Sequence, residues 1–255
     1  MERPPEFVQS LERGLAVIRA FSDGNSRLTL SDVAKETGMS RAAARRFLIT
    51  LESLGYAHSD GKFFSLRPSV LQLGYAYLSG FTFSSIAQQH LESLAESVHE
   101  SCSASVLDEH DIVYVARAST NRIMTIGLTV GARLPAYCTS MGRVLLSELT
   151  PEAISQYLTT ADFSARTDRT LTNPTELLEE LAKVKLSGWS VIDQELELGV
   201  RSVAVPVRDA HRRLIASINT SVHASRVNME KLHNDILPKL QSTANNIEAD
   251  IAGKN

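Results

Sequence analysis

LTLSDVAKETGMSRAAARRFLITLESLGY, residues 28–56, holds two helical patterns separated by Gly38-Met39. Ser31 stands where a cap would open the first, with Val33, Ala34 and Thr37 on or beside its inner face. Gly38 tolerates the left-handed backbone that stops a helix, and Met39 can fill the joint between the two. Ser40 then caps a longer segment running to about Leu54. Along it Ala44, Phe47, Leu48, Leu51 and Leu54 recur in three- and four-residue steps. That stripe must face the interior, which turns Arg41, Ala42, Arg45 and Arg46 toward the opposite side or its rim. Small Ala42 and Ala43 let the backbone approach a groove closely, and the arginines can then reach base edges or phosphates.

The flanks fit the same module. Val8, Leu11, Leu15, Val17, Ile18 and Phe21 recur at mostly helical spacing and predict a first helix ending near residues 23–25, with 28–30 as a short extended bridge. Downstream, Tyr56 to Ser59 and Lys62 to Leu66 read as strands joined through Asp60-Gly61, a strong hairpin signal. Lys62 sits beside that turn, within reach of a neighbouring phosphate. Ser40, Arg41, Ala42, Ala43, Arg45, Arg46 and Lys62 are therefore the candidate DNA-contacting residues. Two other readings stay open at this point: arginines that only solubilise a helix face, and a winged domain that docks a protein.

The net charge of -3 divides unevenly. Residues 1–80 carry ten Lys/Arg against eight Asp/Glu, whereas residues 81–255 carry sixteen against twenty-one. Basic character thus lies toward the amino end, where a local arginine cluster can attract phosphate although its domain is almost neutral. Cys102 and Cys138 make neither a disulfide framework nor a metal quartet, so reduced thiols and a cytoplasmic location are expected. No apolar run approaches the ~20 residues that span a bilayer, and MERPPEFVQ lacks the apolar core of a signal peptide, so no membrane partner is expected.

Pro68 can start a helix, given an apolar side by Val70, Leu71, Leu73, Gly74, Tyr77 and Leu78 and broken near Ser79-Gly80. A second helix, roughly Phe83 to Val98, follows. A connecting helix so apolar calls for a cover, either the carboxyl domain folded back or a second subunit. One short reading helix contacts few base pairs, so a homodimer, alone or as a dimer of dimers, is expected.

Beyond residue 103 strands dominate: 103–107, 112–116, 123–128, 189–192, 202–207 and 214–220. Helices are expected from Ser140, Pro151, Pro174 and about Asn228, the last continuing past Pro238. This predicts an antiparallel-rich sheet covered by helices. Such a layer arrangement can enclose a small-molecule cavity. GARLPAYCTSMGR at 131–143 concentrates a guanidinium, a phenol, two hydroxyls and a helix amino terminus, where an anion gains amide donors and a favourable dipole. Arg133 offers a clamp for a carboxylate. Across the chain DQELELGVRS at 193–202 is a charged loop entering a strand, in which Arg201 can pair with Asp193 or Glu195. The candidate effector set is Arg133, Pro135, Tyr137, Ser140, Met141, Asp193, Glu195, Arg201, Ser202 and Asn219. Scaffold ion pairs, caps and core packing are the competing reading for each singly, and Cys138 reads as a buried small apolar residue. Neither a nucleophile elbow, a phosphate loop, a dinucleotide fingerprint nor zinc-like histidine spacing is present. No enzyme, cofactor or metal is expected.

Several stretches resemble the IclR family of bacterial regulators from about Val8 to Ile251: SLERGLAVIRAF at 10–21, residues 28–56 as quoted, FSLRPSVLQLG at 64–74, GARLPAYCTSMGRVLLSEL at 131–149, GWSVIDQELELGVRSVAVPVRD at 188–209 and SINTSVHASRV at 217–227. The resemblance implies an α+β chain: a winged helix-turn-helix domain at 7–67, a linker helix at 68–82, and a GAF-like effector-binding and oligomerisation domain at 83–253. It further implies that the helix after Ser40 reads the major groove of double-stranded operator DNA. The PAYCTSMGR and DQELELGVRS stretches resemble the branch that controls aromatic-acid breakdown, with a small organic acid, of aromatic type, as effector and RNA polymerase as a further partner. A regulator answering to a non-aromatic acid, or a small-molecule-sensing docking module, is the alternative.

Overall fold

A computed structural model describes residues 4–21, 25–80, 82–119 and 128–253. The chain separates into two units, Met1–Gly80 and Phe81–Asn255. The first contains α1 (Gln9–Arg19), β1 (Leu28–Thr29), α2 (Leu30–Thr37), α3 (Arg41–Ser53), β2 (Ala57–Ser59) and β3 (Phe63–Leu66). The strands pair antiparallel in the order β1-β3-β2, with Thr29 opposite Phe63 and Ser59 opposite Phe64. Val17, Phe21, Leu28, Val33, Ala44, Leu48 and Leu51 form the core beneath the three helices.

The turn between α2 and α3 follows the sequence reading. Gly38 closes α2 with φ 64°, and the Ser40 hydroxyl accepts a hydrogen bond from the Ala43 amide to open α3. The start of α2 does not. Its cap is Thr29, not Ser31: the Thr29 hydroxyl accepts from the Asp32 amide, while the Asp32 carboxylate accepts from the Thr29 amide at 2.8 Å. These reciprocal bonds hold the Asp32 carboxyl below its usual range and satisfy two otherwise orphan donors. Leu30 is thereby the first helical residue instead of the end of an extended bridge. Leu54 was expected inward but is 65% exposed, because α3 ends at Ser53 and the helical stepping no longer applies. Val8, Leu11 and Leu15 are also exposed, leaving Val17 as the fully buried residue of α1.

A 3-10 turn at Pro68–Val70 leads into α4 (Leu71–Gly80), where Leu71, Leu73 and Tyr75 are exposed. The Ser69 hydroxyl ties the turn to the Gly55 carbonyl.

The second unit runs α5 (Thr82–Val98), β4 (Ser101–Asp108), β5 (Asp111–Ala118), β6 (Arg133–Pro135), α6 (Ser140–Ser147), α7 (Pro151–Thr160), α8 (Pro174–Ser187), β7 (Ser190–Asp193), β8 (Val200–Arg208), β9 (Leu214–His223), α9 (Met229–Lys231) and α10 (Leu237–Gly253). Its six strands form one antiparallel sheet in the order β6-β5-β4-β9-β8-β7. Strand alternation splits the sheet into two chemically different faces. Cys102, Ala104, Val203, Val205, Ala216, Ile218 and Val222 pack beneath α5 and α10 in one core. On the other face Ser103, Ser105, Ser202, Ser217, Asn219 and Ser221 alternate with them, toward the side where α6 and α8 pack. A π turn at Leu232–Ile236 precedes α10. It accommodates Pro238, which lacks an amide hydrogen and would clash with a carbonyl one turn back in a regular helix. Met229, expected inward, is 37% exposed. The strand expected at 123–128 falls, apart from Leu128, outside the described residues.

Candidate functional site

In α3, Ala44, Leu48 and Leu51 are buried, and the helix advances about 100° per residue, so Ala42, Arg46 and Ile49 fall on the side facing away from the core. Arg45 flanks them, and Arg41 projects from the first turn. All five are exposed, whereas Ala43 is half-buried and the Ser40 side chain is occupied as the cap. None of the three arginines takes part in an ion pair among the described residues. Ile49 was missed by sequence reasoning, which looked for charged and small residues on the outward side of the helix; its spacing from Ala42 and Arg46 is the signal that would have found it. An apolar side chain there suits contact with a thymine methyl. At the hairpin, the Asp60 carboxylate accepts from the amides of Phe63 at 2.8 Å and Lys62 at 3.0 Å, which hold it below the usual carboxylate range. The Lys62 ammonium lies 5.1 Å from the centroid of the Phe63 ring, exposed beside the turn.

In the second unit a small cavity of about 40 Å³ opens between the serine-bearing sheet face, the first turn of α6 and the loop from Asp193 to Val200. Tyr114, Leu128, Leu134, Met141, Ile192, Leu196 and Val200 give it apolar walls. Thr139, Ser140, Ser202, Asn219 and Ser221 supply polar groups, and Glu197 is the charged residue of the lining. Burial pushes the Tyr114 phenol up to about 12 and the Cys138 thiol, also in the wall, up to about 11, so both stay protonated near neutrality. The cap of α6 is Thr139, whose hydroxyl accepts from the Gly142 amide at 3.2 Å; Ser140, expected as the cap, is the first helical residue. Its hydroxyl is therefore released from capping. The Ser140 Oγ and the Asn219 Oδ1 are buried and have no hydrogen-bond partner among the described residues. A buried polar atom left unmatched costs about 1–3 kcal/mol; Ser190 Oγ, which does not line the cavity, is another among the described residues.

The ten residues expected around an effector separate into two groups. Ser140, Met141, Ser202 and Asn219 come together in the cavity. The others do not line it. Arg133, expected as a carboxylate clamp, is 42% exposed on the edge strand β6 and holds Asp108 and Asp111 across the β4–β5 turn. Two carboxylates close by captured it, an interaction its distant sequence position did not reveal. Tyr137 packs in the core, its hydroxyl donating to the Ser164 carbonyl and its ring 5.2 Å from that of Phe163. The Pro135 carbonyl accepts from the Thr139 hydroxyl. Arg201 binds Asp193 at 2.8 Å and the Val227 carbonyl at 2.7 Å, keeping the Asp193 carboxyl below its usual range. Glu195 pairs with Arg143, a residue absent from the expected set. Replacing Arg133 with alanine is thus expected to change effector affinity less than about twofold and stability by about 0–1 kcal/mol, as for exposed pairs generally. Calorimetric titration and thermal unfolding of the variant check both.

Among known proteins, the helix-turn-helix domain of IclR matches residues 10–61, and the family described as bacterial transcriptional regulator IclR C-terminal matches residues 75–249. The chain is similar to the Pca regulon regulatory protein of Pseudomonas putida, 45% identical over 244 residues that cover 95% of this chain and 84% of that protein. A crystal structure of a transcriptional regulator from Rhodococcus sp. RHA1 superposes with a TM-score of 0.87 at 51% identity, over 98% of this chain and 100% of that one. The inducer-binding domain of the PobR transcription factor from Acinetobacter, solved as a double mutant with 3-hydroxybenzoic acid, superposes with a TM-score of 0.62 at 36% identity, covering 65% of this chain and 97% of that domain.

Proposed function

The chain belongs to the IclR family of bacterial transcriptional regulators, and on that premise we propose that it controls genes of aromatic-compound catabolism in response to a small aromatic acid bound in the α6 cavity. The observation that carries the effector assignment is the pair of unmatched buried atoms, Ser140 Oγ and Asn219 Oδ1, facing one cavity with the amino terminus of α6. A carboxylate at that helix end meets amide donors and the positive end of the helix dipole, so the clamp is the helix itself and not an arginine side chain. The Ser140 hydroxyl adds a donor. The apolar walls suit the faces of an aromatic ring, and a ring hydroxyl supplies the donor that Asn219 Oδ1 lacks. Arg41, Ala42, Arg45, Arg46 and Ile49 read the operator, with Lys62 on a flanking phosphate.

A single α3 spans few base pairs, so the operator-bound species is a homodimer presenting two such helices. Val8 at the start of α1 and Leu11 and Leu15 on it, with Leu71, Leu73 and Tyr75 on α4, are exposed apolar side chains from which a second copy would exclude water. Effector occupancy then alters operator affinity or the productive contact with RNA polymerase.

The test replaces Asn219 with leucine and titrates 4-hydroxybenzoate, 3-hydroxybenzoate, protocatechuate and succinate by calorimetry. Wild-type protein is expected to bind at least one aromatic acid more tightly than succinate, and Asn219→Leu to weaken that binding about tenfold, as expected for one lost hydrogen bond, without lowering the unfolding midpoint. Preference for succinate would overturn the aromatic assignment; undiminished binding in the variant would overturn the cavity.

A further inference from the structure

Behind the cavity wall lies a buried ion pair that the cavity does not use directly. Arg143, 3% exposed on α6, donates from Nη2 to Glu195 Oε2 at 2.6 Å and from Nε to the Tyr137 carbonyl at 2.9 Å. Glu195 Oε2 also accepts from the Leu171 amide at 3.0 Å. The backbone carbonyl of Glu195 is held in turn by the hydroxyls of Thr167, at 3.3 Å, and Thr170, at 2.6 Å. One carboxylate thus joins three segments: the first turn of α6, the stretch from Thr167 to Leu171, and the loop after β7. Both partners lie within two residues of the cavity wall in sequence. Two residues before Arg143 is Met141; directly after Glu195 come Leu196 and Glu197.

We propose that Arg143 and Glu195 are positioning residues that fix the spacing between the two walls of the cavity, so that effector affinity depends on a pair the effector never touches. The inference rests on the effector reading of that cavity. Two charges taken out of water gain little net stability, since well-packed apolar replacements commonly do as well or better, while removal of one partner strands the other. What this pair supplies is directional. The guanidinium fork meets a carboxylate and a backbone carbonyl in fixed geometry, and the carboxylate reaches a backbone amide on a third segment. An apolar pair of similar volume can fill the space but cannot set those three angles. A wall displaced by about 1 Å spoils contacts that a preorganised site needs. The loop is held as well by the Thr167 hydroxyl, which donates to the Gln194 carbonyl at 2.8 Å, by the Ala224 amide on the Gly199 carbonyl at 2.8 Å, and internally by the Gly199 amide on Gln194 Oε1 at 3.0 Å; none of these bonds reaches α6.

Two variants separate positioning from stability: Glu195→Gln, and the double replacement Arg143→Met with Glu195→Leu. For each, the full chain is examined by thermal unfolding, by titration with 4-hydroxybenzoate, and by hydrogen exchange without any acid present. The expected result for the double variant is an unfolding midpoint close to wild type, affinity for 4-hydroxybenzoate reduced at least tenfold, and faster exchange confined to residues 140–143, 171 and 194–200. Glu195→Gln is expected to show the same exchange pattern and an intermediate loss of affinity. Should the double variant not fold, Glu195→Gln alone decides. Wild-type affinity in folded variants, or exchange unchanged at 194–200, would overturn the proposal while leaving the cavity reading intact. If 4-hydroxybenzoate does not bind wild-type protein but exchange quickens as described, the effector reading fails and the latch survives as a constraint on the wall.

Discussion

Operator affinity is expected to fall about 10- to 100-fold for each half-site when Arg46 is replaced by alanine, equivalent to about 1–3 kcal/mol for a lost base-edge contact, and to fall for Arg45→Ala through loss of a phosphate contact. Nothing in the fold opposes the change. Both side chains are exposed on α3, neither is in an ion pair among the described residues, and alanine is the better helix former. The variants should therefore unfold at or slightly above the wild-type midpoint while binding DNA less well. Their two losses should also differ in kind. Arg46 shares the outward side of α3 with Ala42 and Ile49, so its replacement should reduce discrimination between operator and unrelated duplex. Arg45 flanks that side, where a phosphate contact is expected, so its replacement should weaken both duplexes alike and flatten the salt dependence by about one ion per half-site. Mobility shifts at three salt concentrations with operator and scrambled duplex read all of this. Unaltered affinity in both variants would remove α3 as the reading element.

The amino-terminal module was largely legible because each of its signals is local. Gly38, Ser40 and the Ala44-Leu48-Leu51 stripe act within one or two turns, and the hairpin is announced by Asp60-Gly61. Thr29 escaped because its partner in the cap is aspartate, not the usual glutamate or glutamine, so the segment before it read as strand. The cavity was legible only in part, and for a physical reason. Ser140, Met141, Ser202 and Asn219 are adjacent to helix or strand signals that sequence supplies, whereas the fate of an arginine depends on which carboxylates the fold brings to it. Arg133 met Asp108 and Asp111, Arg201 met Asp193, and Arg143 met Glu195 across 52 positions of chain. A signal was nonetheless present. Ser103 and Ser105 in β4, and Ser217, Asn219 and Ser221 in β9, alternate at period two with Cys102, Ala104, Ala216, Ile218 and Val222, Thr220 alone interrupting the apolar set, in strands that burial on both faces would otherwise make uniformly apolar. Polar alternation inside a buried sheet marks the face on which something other than core must be accommodated.

Replacing Gly142 with alanine sets two opposite effects against each other. By helix propensity alone the substitution at the third position of α6 should stabilise by about 1 kcal/mol. A methyl group there, however, would lie 2.5 Å from Thr139 Oγ1 and closer still to the carbonyl oxygen and α-carbon of Ala136. Two of those three neighbours are backbone, held by the 3-10 turn at Ala136–Cys138, so no side chain can simply rotate away. The helix end must move by about 1 Å, and overpacking of this kind costs about 1–3 kcal/mol or more, enough to outweigh the propensity gain. The same movement displaces Ser140 and Met141 in the cavity wall and stretches the bond from Arg143 to the Tyr137 carbonyl. Gly142→Ala is accordingly expected to lower the unfolding midpoint of the second unit by several degrees, at about 2–4 °C per kcal/mol for a domain of this size, and to abolish binding of aromatic acids. Binding of DNA at low salt should persist, since α3 and its core lie wholly within residues 1–80. A variant as stable as wild type, binding 4-hydroxybenzoate normally, would mean that α6 does not rest on the 136–138 turn through this glycine, and the account of how the cavity wall is held would have to be abandoned.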